Sequence, residues 1–179
     1  MKKSVNNTKN LAFCSVISAL SLVMMFLTGL IPVGTYAFPC IAGILLCVVV
    51  IESGYIFAFT TYFVVAVMSA LFVADKEAAL YYIAFLGYYP VLKGLVERIR
   101  INAVSWLLKF ALFNISVTGA FFVSITLLSV PKESFELFGV YLPWVFLVLG
   151  NIVFAVYDLC LTRAISEYVV KWRKKLKIR

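Results

Sequence analysis

Residues Asn10 to Ile51 carry no Asp, Glu, Lys, Arg or His, a run of 42 residues that is too long for a single crossing of a bilayer. An apolar helix needs about 20 residues to cross the hydrocarbon. Gly29, Pro32 and Gly34 interrupt the run near its middle, with Pro39 just beyond. It therefore reads as two antiparallel transmembrane helices joined by a tight turn. Composition points the same way, because 64% of residues are apolar, 13% are charged and the mean hydropathy is +1.06. A soluble domain is only about half apolar and about a quarter charged.

Further along, Ser53 to Ala74 is again uncharged and ends at Asp75-Lys76-Glu77. Ala78 to Val96 gives a fourth helix, interrupted by Gly87 and Pro90, and two more apolar segments follow. The expected fold class is all-α, an integral membrane bundle of six transmembrane helices with short loops. Its helices are placed at residues 11–31, 36–52, 54–74, 78–96, 103–130 and 137–162. They form one membrane domain over residues 1–179, with 163–179 as a basic cytoplasmic tail. The basic stretch Met1 to Lys9 precedes an apolar segment with no small-residue cleavage pattern, so it reads as the flank of a permanent helix and not as a signal peptide.

Lysine and arginine in short loops set orientation. In a six-helix arrangement 13 of the 16 basic residues lie on the side of both termini, Lys93, Arg98 and Arg100 among them, and the other side has Lys76 and Lys132. The expected localisation is the bacterial cell membrane, multi-pass, with both termini cytoplasmic. The net charge of +8 follows from these anchors, and a basic end such as Lys171 to Arg179 is suited to anionic lipid headgroups, with no nucleic acid expected as a partner.

The four cysteines, Cys14, Cys40, Cys47 and Cys160, form no CxxC pair, and histidine is absent. No metal site or cofactor is expected from such a set. No Walker A, GxGxxG, GxSxG or HExxH pattern occurs, so any use of ATP requires another subunit. Nothing links Asp75, Glu77, Glu97 and Asp158 as a paired-acid or metal centre, and no enzyme activity or catalytic residue is assigned.

Polar groups inside the membrane are costly unless paired. Lys109, near the start of the fifth helix, and Asp158, near the end of the sixth, fall at similar depth in adjacent antiparallel helices and are expected to form an intramembrane ion pair. That pair is either structural or part of a proton or cation relay. Trp144, Asn151 and Asp158 recur every seven residues, which keeps them on one helical face directed into the bundle. Tyr81, Tyr82, Tyr88 and Tyr89 show the same spacing on the fourth helix, where aromatic rings serve an interfacial belt or packing. On the extracytoplasmic side, Asp75, Lys76 and Glu77 either orient a polar ligand against walls of Tyr36, Tyr81 and Trp144, with Asn151 below, or form a solvated turn.

Six short-looped helices in 179 residues, cytoplasmic termini, no nucleotide motif and the segment Ser15-Val16-Ile17-Ser18-Ala19 together resemble the substrate-binding S components of energy-coupling factor (ECF) transporters. The family often shows Ala-x-x-x-Ala in its first helix. Here Ser15 replaces the first alanine, and Ala19 matches the second. The resemblance implies a small-molecule substrate of the vitamin or vitamin-precursor class, held on the outer side. It also implies docking through Ser15 and Ala19 on a transmembrane coupling subunit that is bound to two ATPase subunits. The alternative is a non-transporting six-helix membrane scaffold of the rod-shape-protein type, which needs no ligand cavity.

Overall fold

A computed structural model describes residues 2–31, 34–127, 136–137, 140–141 and 143–172. The elements are α1 (Lys2–Leu27), α2 (Gly34–Ser53), α3 (Tyr55–Phe72), α4 (Lys76–Tyr81), α5 (Tyr89–Val96), α6 (Asn102–Leu127) and α7 (Pro143–Glu167). A π-helical turn, Tyr82–Leu86, links α4 to α5, and a second, Tyr168–Trp172, extends α7. Two short strands, β1 (Glu136–Leu137) and β2 (Val140–Tyr141), pair antiparallel between α6 and α7, with Glu136 opposite Tyr141. Among the described residues, six helical spans are long and apolar enough to cross a membrane: Asn7–Leu27, Gly34–Ser53, Tyr55–Phe72, Lys76–Val96, Asn102–Ser124 and Leu147–Lys171. The chain is thus an all-α, multi-pass membrane bundle, with large apolar residues such as Ile56, Phe63, Leu107, Ile115 and Ile152 exposed on its outside, as lipid contact requires.

The bounds depart from the sequence reading in three places. The first helix begins at Lys2 and not at residue 11, since nothing in the polar flank breaks a helix. The sixth begins at Pro143 and not at residue 137, because Leu137 belongs to the strand pair and proline is favoured in a helix's first turn. Residues 163–172, read as tail, continue the helical rod. Residues 128–130 of the expected fifth helix and 173–179 of the tail lie outside the described residues.

Two glycines set how the spans meet. Gly54 has φ 89°, a left-handed backbone that other residues adopt at a penalty. As the single residue between α2 and α3, it reverses the chain there. At Gly43, an added Cβ would lie 2.3 Å from the Leu86 carbonyl oxygen and 2.9 Å from the Tyr157 hydroxyl. Glycine is therefore what allows α2 to lie directly against the fourth span. There the π turn, with Gly87 donating its N–H to the Tyr82 carbonyl at 2.8 Å, widens the helix before Pro90 enters the first turn of α5.

Spans one to three pack against one another through Met25, Ala42, Val65 and Val49. A second core joins α2 and the fourth, fifth and sixth spans through Cys47, Phe85, Tyr89, Phe113, Phe154 and Leu161. Both features that bear on function belong to this second group.

Candidate functional site

The first feature is a ring of alternating charges near the end of the bundle that carries Arg98 and Arg100. Lys93 Nζ lies 2.5 Å from Asp158 Oδ1 and 2.7 Å from Glu97 Oε1. Lys109 Nζ lies 3.0 Å from Asp158 Oδ2 and 2.8 Å from the same Glu97 Oε1. The Tyr89 hydroxyl donates to Asp158 Oδ1 at 2.5 Å. Lys93 is fully buried and Asp158 nearly so, while Glu97 is about two-fifths exposed. Two ammonium groups and two carboxylates leave no net charge. Each buried ion is expensive alone, by several kcal/mol, and tolerable only with this kind of complement. For Glu97, just beyond the fourth span, burial pushes the carboxyl up, but hydrogen bonds from Lys109 and Lys93 outweigh it and hold the group below the usual carboxylate range.

The expected Lys109–Asp158 pair is present in this ring, but it is not a pair on its own. Sequence reasoning placed Lys93 among the orienting loop charges and missed it, together with Glu97 and Tyr89, as a partner. The signal was available, since Tyr89, Lys93 and Glu97 follow at four-residue intervals and share one helical face. Removing Lys93 from the 13 basic residues on that side leaves 12 against two, so the asymmetry survives.

The second feature is a cavity of about 530 Å³ in the half of the bundle away from the ring. Its walls come from α2 (Tyr36, Cys40), the fourth span (Tyr81, Ala84, Phe85, Leu86), α6 (Phe113, Ser116, Val117, Ala120) and α7 (Leu149, Gly150, Val153, Phe154, Tyr157). The π turn brings the consecutive residues Ala84, Phe85 and Leu86 to the cavity together. The rings of Tyr36 and Tyr81 stack with centroids 5.1 Å apart. Phe154 stacks on Phe113 at 4.8 Å and meets Phe85 edge-on at 5.5 Å. Phe85 in turn stacks on Tyr89 at 4.6 Å. An aromatic plate thus separates the cavity from the charge ring.

Of the seven residues proposed for a ligand site, Tyr36 and Tyr81 line this cavity. Asp75, Lys76 and Glu77 do not. Asp75 caps α4 by accepting the Ala78 N–H at 2.9 Å and also accepts from the Thr35 hydroxyl at 2.8 Å. Lys76 donates to the Ala70 carbonyl at 3.0 Å. These bonds make Asp75 the cap of α4 and a tie to α2, and fasten Lys76 to the end of α3. Asn151 is not among the residues that line the cavity. Its amide exchanges two hydrogen bonds of 3.0 Å with Asn114 and so joins α7 to α6. The Trp144 side chain lies outside the described residues. Tyr88 is bonded to Ser116, and Tyr82 is buried in the core of the first spans, so neither serves an interfacial belt.

Ser15 and Ala19 are both exposed on α1, where the Ser15 hydroxyl donates to the Leu11 carbonyl at 2.9 Å and leaves a low ridge. Among the described residues no group of three His, Cys, Asp or Glu could hold a metal ion. All four cysteines are free thiols, and only Cys40 lines the cavity. The cavity liners Phe85, Phe113 and Phe154 had no sequence signal, because an aromatic residue on an apolar helix has the same pattern whether it faces a cavity, the core or lipid.

Compared with known proteins, the chain matches no family model, no curated protein and no solved structure.

Proposed function

We propose that this chain is a substrate-binding membrane subunit of the ECF S-component type, which takes up a small molecule of the vitamin or vitamin-precursor class. It is energised by a transmembrane coupling subunit and two ATPase subunits, and it is not an enzyme. The observation that carries this reading is the cavity of about 530 Å³ within the bundle, a size suited to a drug-sized ligand. A membrane scaffold has no need of such a space. The basic asymmetry supports a bacterial cell-membrane protein with both termini cytoplasmic, so the cavity occupies the outer half and the charge ring the cytoplasmic half. The absence of a nucleotide motif from the sequence supports an external source of energy. The ridge of Ser15 and Ala19 suits close helix approach, because small side chains let backbones pack where lipid supplies no hydrophobic drive.

Two measurements test the reading. Protein purified in mild detergent should release a small molecule on denaturation, in a ratio near one per chain by mass spectrometry. In vesicles with the partner subunits, Ser15→Trp and Ala19→Trp should abolish ATP-dependent uptake while the isolated chain still binds its ligand. Full uptake without any ATPase, or uptake untouched by Ala19→Trp, overturns the proposed coupling. A chain that neither holds nor binds a small molecule is a scaffold.

A further inference from the structure

The walls of the cavity restrict what can occupy it. None of the 15 described residues that line it is Asp, Glu, Lys or Arg, and six are aromatic. On the far side of the aromatic plate the charges are matched to one another, since Asp158 and Lys109 face Lys93 and Glu97, and at the other end Glu77 lies near the Tyr81 ring without lining the cavity. The outer carboxylate Asp75 accepts from Thr35 and from the start of α4. A ligand bearing a formal charge would shed its water against described walls that hold no counter-ion, which is strongly unfavourable. Hydroxyl partners are few. Ser116 and Tyr88 bond each other, and the Tyr157 hydroxyl is directed at the Leu86 carbonyl at a long 3.4 Å. By contrast, the faces and edges of Phe85, Phe113 and Phe154, with the stacked pair Tyr36 and Tyr81 at another wall, offer the offset and edge-on contacts that aromatic rings prefer.

We propose that the cavity binds an uncharged, ring-containing molecule, selected by aromatic contact and by described walls that carry no counter-charge. This inference rests on the binding-subunit reading and narrows its substrate class, excluding anionic and cationic members. An acyl chain is also uncharged, but it cannot use the ring-to-ring contacts.

The test uses two dyes with one aromatic framework, N-phenylnaphthylamine and its sulfonated analogue anilinonaphthalene sulfonate. Native mass spectrometry of the full chain released from micelles counts the adducts. The neutral dye should bind one per chain, and the sulfonate should bind at least about a hundredfold more weakly, the scale set by removing one unpaired charge from water. Two filling variants from opposite walls, Ala120→Trp and Ala84→Phe, should lose the neutral adduct while their melting temperature stays within a few degrees of the parent. Either one that remains folded suffices to place the dye. Val117→Arg, which sets a cation in the wall, should raise sulfonate affinity at least about tenfold. Equal binding of both dyes, lost in the filling variants, overturns the uncharged class and leaves the binding-subunit reading intact. A phospholipid adduct lost in those variants overturns the ring-containing class. If neither dye gives an adduct that depends on the cavity, both this inference and the reading beneath it fail.

Discussion

The fourth, fifth and sixth spans meet twice, and the two meetings are opposites. At one end Lys93, Glu97, Lys109 and Asp158 close the helices with ion pairs of 2.5 to 3.0 Å. At the other the same helices diverge around a space of about 530 Å³ walled by apolar side chains. On α7 the change takes a single residue, from Asp158 in the ring to Tyr157 at the cavity, with Phe154 and Val153 a turn further on. The difference shows how a membrane protein without a hydrophobic drive between its helices can keep a partly open cavity among them. Directional polar bonds fasten the helices at one level, so that packing need not be complete at another. On this view the ring supplies stability and the cavity supplies binding, a division that can be tested.

The largest effect is expected at Asp158. Asp158→Leu leaves Lys93 and Lys109 with one partly exposed carboxylate between them and takes the acceptor from Tyr89, and should destabilise the protein in detergent by about 3–5 kcal/mol. Ligand binding by the fraction that remains folded should be unchanged. A variant of normal stability that cannot bind would move Asp158 from the structural region to the functional one.

Pairing within the ring can be resolved next. Lys93→Met and Lys109→Met should each lower stability, and combining either with Asp158→Leu should restore part of the loss, with coupling of about 0.5–3 kcal/mol in denaturant titrations. Purely additive effects would show that the ions do not act as a unit, and the comparison would lose its stable half.

Smaller still is the contribution of the amide pair. Asn114→Leu or Asn151→Leu leaves one half-buried amide without its partner across the helices and should cost about 1 kcal/mol, whereas the double variant should lie near the parent. Should either single change instead weaken ligand binding without loss of stability, the pair would belong with the cavity.

The smallest effect concerns acid. Because the Glu97 carboxyl is held below its ordinary value in the folded protein, its ionised form adds stability that is complete above the ordinary carboxylate range. That stability is lost as pH falls through the lowered value. Glu97→Gln should flatten this acidic limb of the melting-temperature profile, and an unchanged limb would mean that Glu97 is not part of the ring. Solvent reaches this residue, so the shift should be small.

What was legible in the sequence follows the range of the forces involved. Uncharged runs of about 20 residues declare membrane helices because the cost of a charge in hydrocarbon acts on each residue singly, and Asn10 to Ile51 needs no knowledge of its neighbours to be read as two spans. The intramembrane location of Lys109 and Asp158 was legible for the same reason, and their mutual partnership followed from helix order and depth. Tertiary structure decided the rest. Whether Lys93 points to headgroups or into the bundle depends on the rotation of α5 about its axis, which the bonds of Tyr89 and Lys93 to Asp158 on another helix set. Whether Asp75 orients a ligand or starts a helix depends on Thr35, which lies 40 residues earlier. The cavity depends on Gly43 admitting α2 against the π turn and on the angle at which α6 and α7 part from it. Hydrophobic patterning cannot report that geometry, because in a bilayer the residues that line a cavity, fill a core and face lipid are chemically alike.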